Sequence, residues 1–258
     1  MSVTLSRVVR KDLRSGDPLP DVFHVLRRNQ IRLRRGNLHL LAGKTGSMKT
    51  MFVLDLVKKM QVPTLYFSND SDEATVAQRV LANSVQRTTE AVAEDLDRDK
   101  NWASSTLDTM EHVRWVFDPS PSLDDVDLEM EAFNEVYGDY PWLVVIDIMD
   151  NISYFEDSDH GSAARILQFL HSSARNSGAA VLVVHHCSEA ADENPCPPRS
   201  SILQKQNKLP VLELTVANHG EWFFIAPVKN RHGPGDPSGR THYRLRVNPS
   251  ICSFSEVS

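Results

Sequence analysis

Apolar residues recur along this chain in two rhythms. Short unbroken apolar runs read as strands buried on both faces. Stripes spaced three and four residues apart read as amphipathic helices. The runs fall at residues 38–42, 64–68, 113–117, 142–147 and 180–185. The helical stripes lie between them: 50–60, with Val53, Leu54, Leu56 and Val57; a helix capped by Asp70 or Asp72 and running to about 83; 123–137; and 161–177, with Ile166, Phe169 and Leu170. Residues 85–111 are polar and acidic and read as helical pieces with loops. A polar, proline-bearing stretch at 187–210 follows, and strand-like segments at 211–216, 222–228 and 242–247 close the chain. Alternating strand and helix before a β-rich end predicts an α/β fold, a mainly parallel sheet with antiparallel C-terminal strands. There is no internal repeat and no clear second domain.

Residues 1–36 differ from the rest. They carry nine Lys or Arg against three Asp, a net of +6, whereas the remainder carries −12, for an overall −6. Arg27, Arg28, Arg32, Arg34 and Arg35 crowd the approach to the first strand, beside a short amphipathic stretch at 22–33. The expected organisation is a basic N-terminal arm, 1–36, and one domain over 37–258. The cluster suits a polyanion or an acidic neighbouring subunit, and equally a solvated arm. Cys187, Cys196 and Cys252 make no disulfide framework, and His185, His186, Cys187 and Cys196 lack C-x-x-C zinc spacing. No apolar run approaches the length of a membrane span, so no membrane partner is expected. The first residues lack the apolar core of a secretion signal, which places the expected location in the cytoplasm, that of a bacterial host if the gene is a phage's.

The chemistry begins at residues 43–50. Gly43, Lys44, Thr45, Gly46, Ser47, Met48, Lys49 and Thr50 follow the first strand and open a helix. This is the phosphate-binding pattern G-x-x-x-x-G-K-[ST], with Met48 in place of the second glycine. A strand, a loop of small residues and a helix aim backbone N–H groups and the helix dipole at one anion. Lys49 is expected to reach the β- and γ-phosphates of ATP, and Thr50 to hold Mg²⁺. Asp147 ends a buried strand, at the sheet edge where ligands bind, and is the second expected Mg²⁺ residue; Asp150 is a weaker candidate. Asp70 ends the second strand and is the candidate to orient the attacking water, with Asp72 and Glu73 as competitors and a helix cap as the alternative role. Lys229 and Arg231 precede a Gly/Pro-rich turn, 232–239, and suit a cationic finger for a γ-phosphate, including one held by another subunit.

Taken in order, residues 43–50, Phe67-Ser-Asn-Asp70, Val144-Val-Ile-Asp147, the strand ending His185-His186, and Lys229-Asn-Arg-His-Gly-Pro234 resemble the RecA-like ATPase domain of DnaB-type replicative helicases of bacteria and phages. The resemblance covers residues 36–248, and the last motif is its most specific part. It implies a RecA-like P-loop NTPase core whose Lys229 and Arg231 reach the neighbouring subunit's nucleotide. It makes Asp70 the catalytic carboxylate, one methylene shorter than the usual Glu. It puts His185 or His186 where the γ-phosphate is sensed, His185 being favoured. Arg199, Gln204, Lys205 and Lys208 fall in a loop that faces DNA in that family. The family's separate N-terminal helical domain has no counterpart here.

The expected function is an ATP-dependent helicase motor that hydrolyses ATP at the subunit interfaces of a ring, expected to be a hexamer, and translocates on single-stranded DNA beside other replisome proteins. Two alternatives remain at this stage. One is a RecA-like recombinase or ATP-dependent DNA-binding replication initiator without unwinding. The other is a nucleotide switch in which Met48 and Asp70 have abolished hydrolysis.

Overall fold

Every residue of 38–43, 64–68 and 143–147 is buried, as strands covered on both faces by helices require. The computed structural model describes residues 16–153, 159–188, 194–202 and 208–256. The strands are β1 (Leu38–Gly43), β2 (Thr64–Ser68), β3 (Val113–Val116), β4 (Leu143–Asp147), β5 (Ala180–His186), β6 (Leu212–His219), β7 (Trp222–Asn230), β8 (Tyr243–Asn248) and β9 (Ser253–Ser255). The helices are α1 (His24–Arg28), α2 (Lys49–Met60), α3 (Glu73–Val85), α4 (Thr89–Arg98), α5 (Lys100–Leu107), α6 (Leu123–Tyr137) and α7 (Asp159–Ser177). One sheet runs β3-β2-β4-β5-β1-β6-β7-β8-β9. Its first six strands are parallel; β7, β8 and β9 add antiparallel at the β6 side. This is the expected α/β architecture.

The two faces have separate cores. Leu41, Tyr66, Val145 and Val184 point to the face covered by α2 and part of α3, where Phe52, Val53, Val76 and Val80 lie. Leu40, Phe67, Val144 and Val183 point to the other face, under α6 and α7, where Val126, Met130, Ile166 and Leu170 lie. Because strand residues alternate, this partition decides which strand-end side chains meet the helix that follows the phosphate loop. Local signals set the helix limits. Asp72 caps α3 through Thr75 N–H at 2.9 Å, and Ser122 with Asp125 forms a capping box at α6.

Two features depart from the sequence reading. Residues 19–33 do not lie outside the domain as an arm: Leu19, Phe23, Leu26, Ile31 and Leu33 are buried in the α2-side core. The amphipathic stretch read at 22–33 is the segment that enters that core: Leu26 lies in α1, and Phe23, Ile31 and Leu33 flank it. The second departure is β9, which holds too few residues to give a period. It is fixed by tertiary contacts, since buried Asp55 of α2 accepts Lys59 at 2.5 Å and Asn83 at 2.8 Å, while Asn83 also donates to the Cys252 carbonyl at 2.6 Å.

His39 on β1 is fully buried. Its Nε2 accepts the Arg34 N–H at 3.0 Å, so Nδ1 carries the proton and donates to the Val181 carbonyl at 3.2 Å. Burial lowers its pKa from 6.5 to about 4. The unfolded chain therefore binds this proton first, and stability is lost as pH falls from about 6.5 towards 4. The linkage amounts to about 2 kcal/mol between pH 8 and pH 5. Thermal unfolding of His39→Gln should start from a lower midpoint at pH 8 and show a shallower decline to pH 5 than the unsubstituted protein. Parallel declines would remove His39 as the source.

Candidate nucleotide-binding site

β1 ends at Gly43, between His186 of β5 and Val216 of β6. The chain then turns through residues 44–48 and enters α2. Gly43 has no room for a side chain: a Cβ would lie 2.5 Å from Ser47 Oγ and 2.8 Å from the Val216 carbonyl oxygen. Met48 closes the turn in the left-handed region, at φ 63° and ψ 27°. The position thus keeps the backbone conformation that a glycine adopts freely, and Met48 holds it at a cost of about 1–2 kcal/mol. Its side chain packs on the α2-side core, which offsets part of that cost. Ser47 N–H donates to the Lys44 carbonyl at 3.1 Å, while its buried Oγ has no hydrogen-bond partner among the described residues.

Lys49 is buried at the start of α2. Its ammonium donates to the carbonyls of Gly43 and Lys44, each at 3.0 Å, and lies 3.2 Å from His186 Nδ1. An ammonium only donates, so Nδ1 accepts and the His186 proton sits on Nε2. Burial lowers the pKa of Lys49, opposed by the charges around it, Asp147, Asp150 and Asp70 included. Burial and then the Lys49 charge lower that of His186. Thr50 Oγ1 donates to Asp147 Oδ1 at 3.1 Å, and Tyr66 Oη to Oδ2 at 2.6 Å. Asp147 is 2% exposed, and burial raises its pKa to about 6 despite these two donors.

The ends of β2 and β4 are tied together: Asn69 N–H donates to the Asp147 carbonyl at 2.7 Å, and Asn151 Nδ2 to the Asn69 carbonyl at 2.9 Å. Asp70 follows this clamp and is exposed. The cap of α3 is Asp72, so Asp70 is left without a hydrogen bond among the described residues. Its charge raises the pKa values of Asp147 and Lys49. Lys49, Thr50, Asp70, Asp147 and His186 therefore gather at one sheet edge.

His185 does not join them. It faces the α7 side, where its Nδ1 lies 2.9 Å from the Asp150 carboxylate, which also accepts the His186 N–H at 3.3 Å. His186, and not His185, lies beside Lys49, because one residue along a strand reverses the face. Lys229 and Arg231 also part company. Val228 is an extra residue opposite the step from Glu213 to Leu214, and this bulge re-aims Lys229 onto Glu213 at 3.1 Å. Burial lowers the Lys229 pKa, opposed by Glu213. Arg231 donates to the Lys208 carbonyl at 2.7 Å. In register, Glu213 pairs with Leu40 while Val216 pairs with Gly43, about 10 Å further along the sheet. Both cations thus stand at the opposite end of the sheet from their own chain's phosphate loop.

Of the expected DNA-facing residues, Arg199 is turned onto Glu213, with Nε at 2.7 Å and Nη2 at 3.2 Å from its oxygens. Lys208 is exposed, and Gln204 and Lys205 lie outside the described residues. Sequence reasoning missed Tyr66 and Glu213. A Glu inside the apolar run 211–216 was a visible signal; the Tyr66 contact needed the β2–β4 pairing.

A cleft of about 230 Å³ opens beside the loop, lined by Lys44, Ser47, Asn194, Asn218 and His219 among others. The set suits a phosphate chain and a hard cation. At the loop–helix junction stand an unpartnered Ser47 hydroxyl, the Lys49 ammonium, and the Thr50 hydroxyl and Asp147 carboxylate oxygens 3.1 Å apart, the ligand type Mg²⁺ selects.

Met48→Gly should keep nucleotide affinity, because glycine retains the left-handed turn. Met48→Val should lose at least about tenfold, because a β-branched side chain resists that turn. Titration with a fluorescent ATP analogue checks both; equal affinities would refute the conformational account of Met48.

An AAA domain family matches residues 27–192. The Gene 65 protein of Mycobacterium phage L5 is 33% identical over 241 residues, which span 88% of this chain and 88% of that protein. Among solved structures, a DnaB-like replicative helicase, studied with its primase interactions, superposes with a TM-score of 0.81 at 15% identity, covering 100% of this chain and 67% of that one. A second solved structure, that of an ATPase domain, gives a TM-score of 0.82 at 14% identity, covering 98% of this chain and 96% of that one. The chain belongs to the AAA domain family, and its fold is the RecA-like fold of DnaB-type ATPase domains.

Proposed function

We propose that this AAA-domain protein is an ATPase, the motor of a DnaB-type replicative DNA helicase that hydrolyses ATP between subunits of a ring and moves along single-stranded DNA. The observation that carries the reading is the gathering of Lys49, Thr50, Asp70, Asp147 and His186 where β1 opens into α2. In this reading the loop N–H groups and the α2 N-terminus hold the phosphate chain. Lys49 leaves the loop carbonyls for the β- and γ-phosphates. Thr50 and Asp147 would hold Mg²⁺, which would supply positive charge to neutralise that of the phosphates. Tyr66 keeps the Asp147 carboxylate oriented from behind. Asp70, free of the cap, orients the attacking water. The Nε2–H of His186 is the donor that senses the γ-phosphate.

Lys229 and Arg231 act on the neighbouring subunit's nucleotide. Support comes from the sheet register, which sets them at the far end from their own loop. Two chains are then needed to complete one site, which favours a ring, a hexamer in this reading. Lys208 and the residues near it contact DNA phosphates, and primase and other replisome proteins are the expected partners. A second reading, a nucleotide switch without turnover, is favoured by one observation: Asp70 is a short carboxylate at an exposed position.

Lys49→Ala should fold, because what is lost is the ammonium's contacts with two loop carbonyls and His186 and no apolar core packing, and should not hydrolyse ATP. An ATPase rate equal to that of the unsubstituted protein would reject the phosphate-loop reading. Bound nucleotide with no hydrolysis by the unsubstituted protein, with or without single-stranded DNA, would favour the switch.

Arg231→Ala should bind nucleotide and fail to hydrolyse it, since a cation supplied in trans is worth about 10³–10⁵ in rate in GTPases. Mixing Arg231→Ala with Lys49→Ala subunits should restore part of the activity, because some interfaces then pair a sound loop with a sound finger. No recovery in rings shown by native mass spectrometry to be mixed would count against action in trans.

A further inference from the structure

Glu213 is the second residue of β6 and has no exposed surface. Its two oxygens take Arg199 at 2.7 and 3.2 Å and Lys229 at 3.1 Å, and these are its partners among the described residues. The two cations come from different parts of the chain. Arg199 belongs to the polar stretch between β5 and β6; Lys229 is the last cation of β7, aimed here by the bulge at Val228. A carboxylate buried this deeply keeps its charge only while it is paired. One cation on Glu213 is enough to leave its charge compensated. If both left together, the charge would stand buried and uncompensated.

Under the function proposed above, on which this inference rests, Lys229 has to leave Glu213 to reach the neighbouring nucleotide. We propose that Glu213 is a positioning residue that releases one cation at a time, so that Lys229 reaches the neighbouring nucleotide only while Arg199 stays on Glu213. The same carboxylate ties the segment carrying Arg199, which leads into the DNA-facing stretch, to the state of the nucleotide next door. A subunit that is contacting its neighbour's nucleotide through Lys229 keeps Arg199 at home. One whose Arg199 has gone to a phosphate elsewhere keeps Lys229 at home.

The test is steady-state ATPase kinetics on the full chain, with thermal midpoints as a control for folding. Arg199→Ala leaves Lys229 as the single cation on Glu213 and so retains it there. Its kcat should fall about fivefold or more, the size of an ordinary coupling between sites, with KM little changed. Arg199→Lys restores a second cation and should recover most of the rate. Adding Glu213→Gln to Arg199→Ala removes the charge that retains Lys229, and should also recover rate if that protein folds. If it does not fold, the Arg199 pair decides alone. A purely structural Arg199 would lower the midpoint of Arg199→Ala and leave kcat per folded molecule unchanged, which overturns the proposal. So does an Arg199→Lys protein as slow as Arg199→Ala. If the unsubstituted protein hydrolyses no ATP, the proposed function fails and this inference falls with it. If it does, and Arg199→Ala matches it, only this inference fails.

Discussion

The site depends on one buried carboxylate. Asp147 lies at the end of β4 almost out of solvent, where burial works against its charge and hydroxyls from two other elements, with the Lys49 charge beside them, support it. Thr50 brings the first turn of α2, and Tyr66 brings β2. The same three elements set where Lys49 and Asp70 stand. Moving any one of them would strand a polar group in the sheet, so the geometry of the loop–helix junction is fixed from beneath by hydrogen bonds as well as by packing. The buried pairings of His39, Asp55 and Glu213 repeat the principle elsewhere: each of these three ties segments distant in sequence.

Met48 shows how a motif can be broken in letters and kept in shape. What the second glycine of the pattern supplies is a left-handed backbone, and Met48 has that backbone. The other glycine is irreplaceable for a different reason, since Gly43 is pressed between Ser47 and the Val216 backbone. One position is about torsion, the other about space, and only the first leaves a substitute any latitude.

Sheet polarity separates the two halves of the chemistry. Parallel strands deliver their C-terminal ends, and with them Lys49, Asp70, Asp147 and His186, to one edge. β7 runs the other way, so its end delivers Lys229 and Arg231 to the other. A chain with this topology presents a phosphate loop at one place and a pair of cations at another. Glu213 lies at the cation end, where Arg199 and Lys229 both reach it.

The sequence by itself determined the elements and the loop. Strong apolar runs and stripes fix β1 through β8 and the main helices to within a few residues, because burial on both faces or on one stripe leaves a period that composition cannot hide. The G-x-x-x-x-x-K-T spacing gave the anion site, and the strand-end acids gave its neighbours, because both depend on local chain order. The tertiary structure decided the rest. Which histidine meets Lys49 turns on which face of β5 carries α2. That Asp72 caps α3, leaving Asp70 free, required the actual turn. The placement of residues 19–33 in the core, the pairing of Tyr66 with Asp147, and the capture of Arg199 and Lys229 by Glu213 all join residues far apart in sequence. Such contacts depend on strand order and register, including a bulge of one residue, and no local pattern encodes them.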